Sequence, residues 1–137
     1  MSDTYSSHDV DEQPSTPNFS VVIPVYNEET ILTEAIEELV GVLDTWDRSY
    51  EIIIAENGSK DRTIELAQAL CNRFKTVSTF SASEANYGRA LKEGLIKAQG
   101  TYVICDEIDL CDTDFYQAAF THFDQKPDLD FIVGSKR

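Results

Sequence analysis

The chain has 137 residues, 42% of them hydrophobic, enough to bury the core of one domain. It carries 25 acidic residues against 11 basic ones, a formal charge of -14. Such a surface repels phosphate backbones and anionic membranes and argues against a nucleic-acid partner; an anionic small molecule would need a helix N-terminus, an arginine or a metal to hold it.

Residues 1–18 are polar, rich in Ser and Asp and broken by Pro14 and Pro17, so they read as a disordered acidic tail. Ser20-Val21-Val22-Ile23 is a short apolar strand that should stop near Pro24. From about Glu29 to Leu43, Ile31, Ala35, Leu39 and Val42 share one side with Leu32, Ile36 and Leu43 beside them, a stripe for packing a helix on a sheet. Glu51 to Ala55 holds Ile52-Ile53-Ile54, a run suited to a parallel strand covered on both faces. Ser59 is placed to cap a helix through Leu66 and Leu70, with Asp61 in its first turn. A weaker strand spans Lys75 to Phe80, and a helix spans Tyr87 to Ala98, ended by Gly100. Thr101 to Cys105 is a strand, Thr113 to Phe123 a helix capped by Asp112, and Leu129 to Val133 the last strand. The alternation predicts an α/β fold, a mostly parallel sheet flanked by helices.

In such folds ligands gather at the carboxyl ends of the strands. Three segments fall there: Pro24–Glu28, Glu56–Asp61 and Asp106–Asp109. Pro24 fixes the backbone as it leaves the sheet, Tyr26 can stack on a flat ring, and Glu28 can accept bonds from base or ribose donors; the same residues also suit a plain helix start. Gly58 and Ser59 are explained by a strand-to-helix turn, which leaves Glu56 as the residue there that could face the same cleft as Glu28. Arg89 is one of few cations near the proposed cleft; it can approach a diphosphate or pair with Glu93 one turn along.

The last segment, Val103-Ile104-Cys105-Asp106-Glu107-Ile108-Asp109, ends an apolar run in three carboxylates. It fits a divalent cation or a ribose, or a solvated acidic loop. Asp109 is the first choice as metal ligand. Glu107 points the same way if strand geometry continues, and the pair can hold Mg²⁺ or Mn²⁺ while substrate phosphates complete the shell. Asp106 should then face away or bond to the backbone.

Cys71, Cys105 and Cys111 have no zinc-ligand spacing and are odd in number for a disulfide framework, so buried thiols in a reducing compartment are expected. Neither a signal peptide nor a membrane-spanning run is read, which suggests a cytoplasmic protein, with peripheral attachment to a membrane left open. A receiver domain would need its acidic pair after the first strand, where Pro24-Val25-Tyr26 stands. A dinucleotide-binding domain would need G-x-G-x-x-G there. A nucleotidyltransferase would typically want a Gly-rich first loop bearing Arg or Lys.

The chain resembles the nucleotide-sugar glycosyltransferases of the inverting GT-A class, family two, which includes the dolichol-phosphate sugar transferases. The resemblance rests on Ser20-Val21-Val22-Ile23-Pro24-Val25-Tyr26-Asn27-Glu28-Glu29 and Glu56-Asn57-Gly58-Ser59-Lys60-Asp61-Arg62-Thr63. It continues in Tyr87-Gly88-Arg89-Ala90-Leu91 with Gly94, Ala98 and Gly100, in Glu107-Ile108-Asp109-Leu110, and in Val133-Gly134-Ser135. It covers roughly residues 19 to 137 and implies the donor-nucleotide-binding part of a glycosyltransferase domain. Pro24, Tyr26 and Glu28 would line the base and ribose pocket. Glu56 would stand for the first Asp of an Asp-Asp-Gly-Ser turn, and Glu107 and Asp109 for the two positions of an Asp-x-Asp motif. The second of these usually carries the metal that holds the donor diphosphate.

This chain departs from that pattern with glutamates at Glu56 and Glu107 and with Asn57 for another aspartate. With the longer side chain, ribose rather than metal is the alternative partner for Glu107. Family members also continue past Gly134-Ser135-Lys136-Arg137 into an acceptor pocket that usually supplies the general base. The expectation is therefore a donor-binding portion that takes a nucleotide-diphosphate sugar and serves transfer to an acceptor hydroxyl or lipid phosphate. The alternative is a non-catalytic or degenerate nucleotide-sugar-binding fragment lacking the acceptor half and general base. A missing half would leave apolar surface exposed and favour a homodimer.

Overall fold

The computed structural model describes residues 16–82, 85–126 and 128. Most of the predicted tail, the predicted last strand Leu129–Val133 and the Val133-Gly134-Ser135 segment lie outside the described residues. Four strands, β1 (Phe19–Val25), β2 (Tyr50–Glu56), β3 (Val77–Ser81) and β4 (Tyr102–Cys105), form a sheet of order β3-β2-β1-β4 with every neighbour parallel. Four helices connect or follow them: α1 (Leu32–Leu43), α2 (Thr63–Arg73), α3 (Tyr87–Lys97) and α4 (Thr113–Gln125).

The period-two alternation of β1 and β2 divides the core. Phe19, Val21, Ile23 and Val25, with Tyr50, Ile52 and Ile54, join a large cluster with Leu32, Ile36, Leu39 and Leu43 of α1, Ala67 and Leu70 of α2, and Tyr116 and Phe120 of α4. Val22, Ile53 and Ala55 point the other way and pack on Ala90 of α3, with Phe80, Leu91 and Ala98 at the margin. The isoleucine run is thus covered on both faces, as its composition predicts.

The connection through α1 and then α2 leads the chain outward from β1 to β3. The connection through α3 carries it back to β4, on the other side of β1. Strand order therefore reverses between β1 and β4, which opens a crevice at their carboxyl ends.

Local expectations fail in three places. Pro24 lies inside β1 rather than ending it. Val22 O accepts from Asp106 N on the β4 side and Val25 O from Asn57 N on the β2 side, so the side of β1 that lacks the Pro24 N–H is the β4 side. Pairing with β4 has already stopped there, at Val22↔Cys105, and no ladder bond is lost. Of the two valines in α1 it is Val40 that is buried, while Val42 stays 39% exposed. Ser59 does not cap α2, which begins at Thr63; its hydroxyl instead accepts from the Asn27 amide at 2.9 Å.

Candidate functional site

The crevice at the β1–β4 switch holds a cavity of about 430 Å³ lined by Pro24, Tyr26 and Glu28 from the end of β1, Glu107, Ile108 and Asp109 from the end of β4, and Asn57 and Tyr87. A larger groove of about 890 Å³ lies between α4 and the residues that precede β1 and β2, among them Asn18, Arg48 and Ser49. That groove is at the amino ends of the strands, and the strand-end segments singled out in the sequence do not line it.

The two loops that follow β1 and β2 are joined by reciprocal bonds. Asn27 takes a positive φ of 52°. Its side-chain Oδ1 accepts from Lys60 N at 2.8 Å, while its own amide donates to Ser59 Oγ. Glu28 N donates to Thr63 Oγ1 at 2.8 Å, and Arg62 N donates to Glu29 Oε1 at 2.9 Å. Asp61 Oδ1 accepts from both the amide and the hydroxyl of Thr63. These bonds present Tyr26, 40% exposed, and the Glu28 carboxylate at the cavity.

Glu28 is held above its usual carboxylate pKa of 4.5, first by partial burial and then by the charges of Asp109 and Asp61. Carboxylates from the β1 and β4 ends are thus close enough to repel, and a cation between them would relieve that repulsion. Among the described residues no three His, Cys, Asp or Glu side chains gather into a cation cage. The donor set fits a hard divalent ion that takes few protein oxygens and fills its shell with water or phosphate.

Glu107 and Asp109 both line the cavity, although strand geometry does not continue to them. The chain turns over Ile108–Leu110, with Leu110 N donating to Glu107 O at 2.9 Å. The buried Ile108 anchors that turn between the two exposed acids. Asp106 bonds to backbone, as expected, and also to a side chain: it accepts from Glu107 N, Asp112 N and the Tyr116 hydroxyl.

Two expected contributors are placed elsewhere. Glu56 is fully buried and its carboxylate oxygens accept from the amides of Gly58 and Ser59 in its own turn; it is not among the residues that line the cavity. It shares the alternation of Ile52 and Ile54, so it points to the α1 and α2 face. Arg89 sits exposed in the first turn of α3, outside the cavity lining, with its amide donating to the capping Asn86 Oδ1. Tyr87 and Ile31 line the cavity from outside the three strand-end segments, and from the second segment it is Asn57, not Glu56, that reaches it. Asn57 is buried and its Oδ1 accepts from Asn86 N at 2.6 Å, which ties the β2 end to the start of α3 where Tyr87 stands. Its position directly after the last residue of β2 was the available signal.

The sequence from 20 to 135 matches the family model described as Glycosyl transferase family 2. The chain belongs to glycosyl transferase family 2. An undecaprenyl-phosphate 4-deoxy-4-formamido-L-arabinose transferase of Pseudomonas paraeruginosa is 37% identical over 93 residues, which span 66% of this chain and 27% of that protein. Among solved structures, S. aureus TarS 1–349 in complex with UDP-GlcNAc superposes with a TM-score of 0.59 at 22% identity, covering 79% of this chain and 31% of that one. A mannosyltransferase from Pyrobaculum calidifontis in complex with GDP-Man and Mn²⁺ gives a TM-score of 0.55 at 19% identity, covering 77% and 33%. The structural likenesses show the fold, the GT-A type of the family. The chain thus spans under a third of the length of the undecaprenyl-phosphate transferase. Among the described residues no helix is long and apolar enough to cross a membrane.

Proposed function

We propose that residues 19–137 form the donor-binding part of a family 2 glycosyltransferase and bind a nucleotide-diphosphate sugar at the β1–β4 crevice. The observation that carries this reading is the meeting of Tyr26, Glu28, Glu107 and Asp109 around one cavity at the strand-order switch. Tyr26 offers a ring for the base, with Pro24 stiffening its approach. Glu28 accepts from base or ribose donors. Asp109, with Glu107, would hold Mg²⁺ or Mn²⁺, and the ion, when bound, neutralises charge on the departing nucleotide diphosphate. Glu56 supports the reading only indirectly, by fixing the turn that presents Asn57. Arg89 can serve the diphosphate only by reaching in from outside the cavity lining.

Transfer would form a bond from an acceptor oxygen to the sugar's anomeric carbon as the bond to the diphosphate breaks. The acceptor is a hydroxyl or a lipid phosphate; the second choice draws on the undecaprenyl-phosphate relative. A lipid acceptor would bring the protein to a membrane surface as a peripheral partner. No residue of the cavity is assigned as general base, and the span of under a third of that relative favours a base supplied outside these residues.

Calorimetric titration of the purified chain with UDP-GlcNAc and GDP-mannose, with and without Mn²⁺, tests the reading. One of the two should bind in a Mn²⁺-dependent manner, and Asp109→Asn should weaken it by roughly tenfold or more, the worth of one charged contact. Failure of both sugars to bind in either condition would instead support a degenerate fragment that keeps the fold without a donor site.

A further inference from the structure

Tyr26 and Glu28 are carried by a loop that nothing on β1 itself holds in place. Past Val25 the chain leaves the sheet, and Asn27 adopts a left-handed φ of 52°. Its attachment is across to the loop after β2. Five backbone amides are satisfied by side chains of the opposite loop: Asn27 N by Ser59, Glu28 N by Thr63, Glu29 N by Asp61, Lys60 N by Asn27 and Arg62 N by Glu29. Thr63 is fully buried, and its hydroxyl donates to Asp61 while accepting from Glu28. That orientation is fixed, because Asp61 as a carboxylate can only accept.

We infer that Asn27 and Thr63 are positioning residues for the nucleoside half of the donor: they clasp the two loops and so hold Tyr26 and Glu28 at the cavity, without touching the ligand themselves. Neither residue is among those that line the cavity. Asn27, which stands between Tyr26 and Glu28, reaches across to Lys60 N, and the Thr63 hydroxyl accepts from the Glu28 amide itself, so loosening these bonds releases those two side chains first. Asp109 is attached differently, through the turn anchored by Ile108 and the Asp106 bonds. The clasp therefore acts on the base and ribose side of the site and leaves the metal and diphosphate side alone. The inference rests on the donor-binding reading above.

Two substitutions isolate the bonds. Asn27→Gly tolerates the positive φ but removes the oxygen that accepts from Lys60. Thr63→Val keeps the branched shape and removes the hydroxyl, and Thr63→Ser restores it. Affinity would be measured on the full chain with Mn²⁺ for UDP, GDP and inorganic pyrophosphate. Asn27→Gly and Thr63→Val should each weaken the nucleotide that the parent protein binds by roughly five- to tenfold, the usual scale for a lost hydrogen bond acting through position. Pyrophosphate affinity should stay within about twofold and Thr63→Ser should match the parent. Asp109→Asn should weaken nucleotide and pyrophosphate alike. Unchanged nucleotide affinity in the exposed-site variant Asn27→Gly would overturn the inference, as would pyrophosphate binding that falls in step with nucleotide binding. A parent chain that binds neither nucleotide overturns the donor-binding reading itself and the inference with it.

Discussion

Asp106 stands three residues before Asp109, yet its carboxylate serves the fold. Its oxygens accept from Glu107 N at 2.8 Å, Asp112 N at 2.9 Å and the fully buried Tyr116 hydroxyl at 2.7 Å. Asp106→Ala leaves that hydroxyl without a partner, and the cost is about 2–3 kcal/mol. Tyr116→Phe removes the stranded donor, so the double variant should lose less than the sum of the two single losses, a coupling that urea unfolding measures directly. Asp109→Asn, at an exposed position beside Glu28, should stay within about 0.5 kcal/mol of the parent. Equal stability of Asp106→Ala and Asp109→Asn would refute this division of labour. The sequence made part of it legible: a carboxylate next to the proposed ligands had to turn away or meet the backbone. Tyr116 was not legible, because it reaches Asp106 only through the turn of Ile108–Leu110 and the first turn of α4. Glu56 is placed in the core for a simpler reason. Counting by twos from Ile52 and Ile54 places it with the core, and the identity of a carboxylate at a strand end outweighed that count.

At the level of elements, three glycines report how closely each piece approaches the sheet. Gly41 lies exposed in α1, and a methyl there would meet nothing within 4 Å. A Cβ at Gly94 of α3 would come 2.5 Å from Val22 Cγ1, and one at Gly100, in the turn before β4, would come 2.6 Å from the backbone of Phe19 and Ser20. The same substitution should therefore change sign along the chain. Gly41→Ala should stabilise by about 0.5–1 kcal/mol through helix propensity. Gly94→Ala should destabilise by about 1–3 kcal/mol, since a side chain can give way, and Gly100→Ala by more, since backbone cannot. Thermal unfolding ranks the three, and a Gly100→Ala protein as stable as Gly41→Ala would show that the α3–β4 turn does not press on β1. Gly100 was read from sequence as a helix stop; its closeness to β1 depends on tertiary contact and left no local sign. The strands and helices themselves were legible because their apolar periods are clean, as in Ile52-Ile53-Ile54. Ser59 failed as a helix cap because a second loop, 32 residues earlier in the chain, competes for its hydroxyl.

For the whole molecule, the buried and paired groups set a pH profile whose limbs have different origins. Asp61 has its pKa lowered from 3.8: partial burial works against this, but the Thr63 hydroxyl and the Thr63 and Glu29 amides outweigh it by bonding the charged form. Its stabilisation is present above 3.8 and is lost as pH falls below that value. Glu28 works in the opposite sense. Its pKa is raised from 4.5, so the folded state binds the proton more tightly, and stability falls as pH climbs from 4.5 through the raised value. The formal charge of -14 adds repulsion toward neutral pH in the same direction. On the alkaline side, burial and the bond to Asp44 push the Tyr50 hydroxyl up to about 12, and burial with the Asp106 bond drives Tyr116 far above its ordinary value. Both must ionise for the chain to gain from high pH, so stability drops as pH rises past an unfolded tyrosine pKa of about 10. Burial also pushes the Cys111 thiol up from 9.0 to about 12, so the expected urea midpoint is highest near about pH 4 to 5, declines slowly toward 7 and falls steeply above about 9. Glu28→Gln removes one titrating group from the middle limb and should flatten it while leaving both outer limbs in place. Absorbance at 295 nm should show tyrosine ionisation and unfolding advancing together on the alkaline limb. A Glu28→Gln profile that follows the parent between pH 4.5 and 7, or tyrosines that all titrate near 10 in a still-folded chain, would contradict the geometry that places Glu28 beside Asp109 and Tyr116 against Asp106.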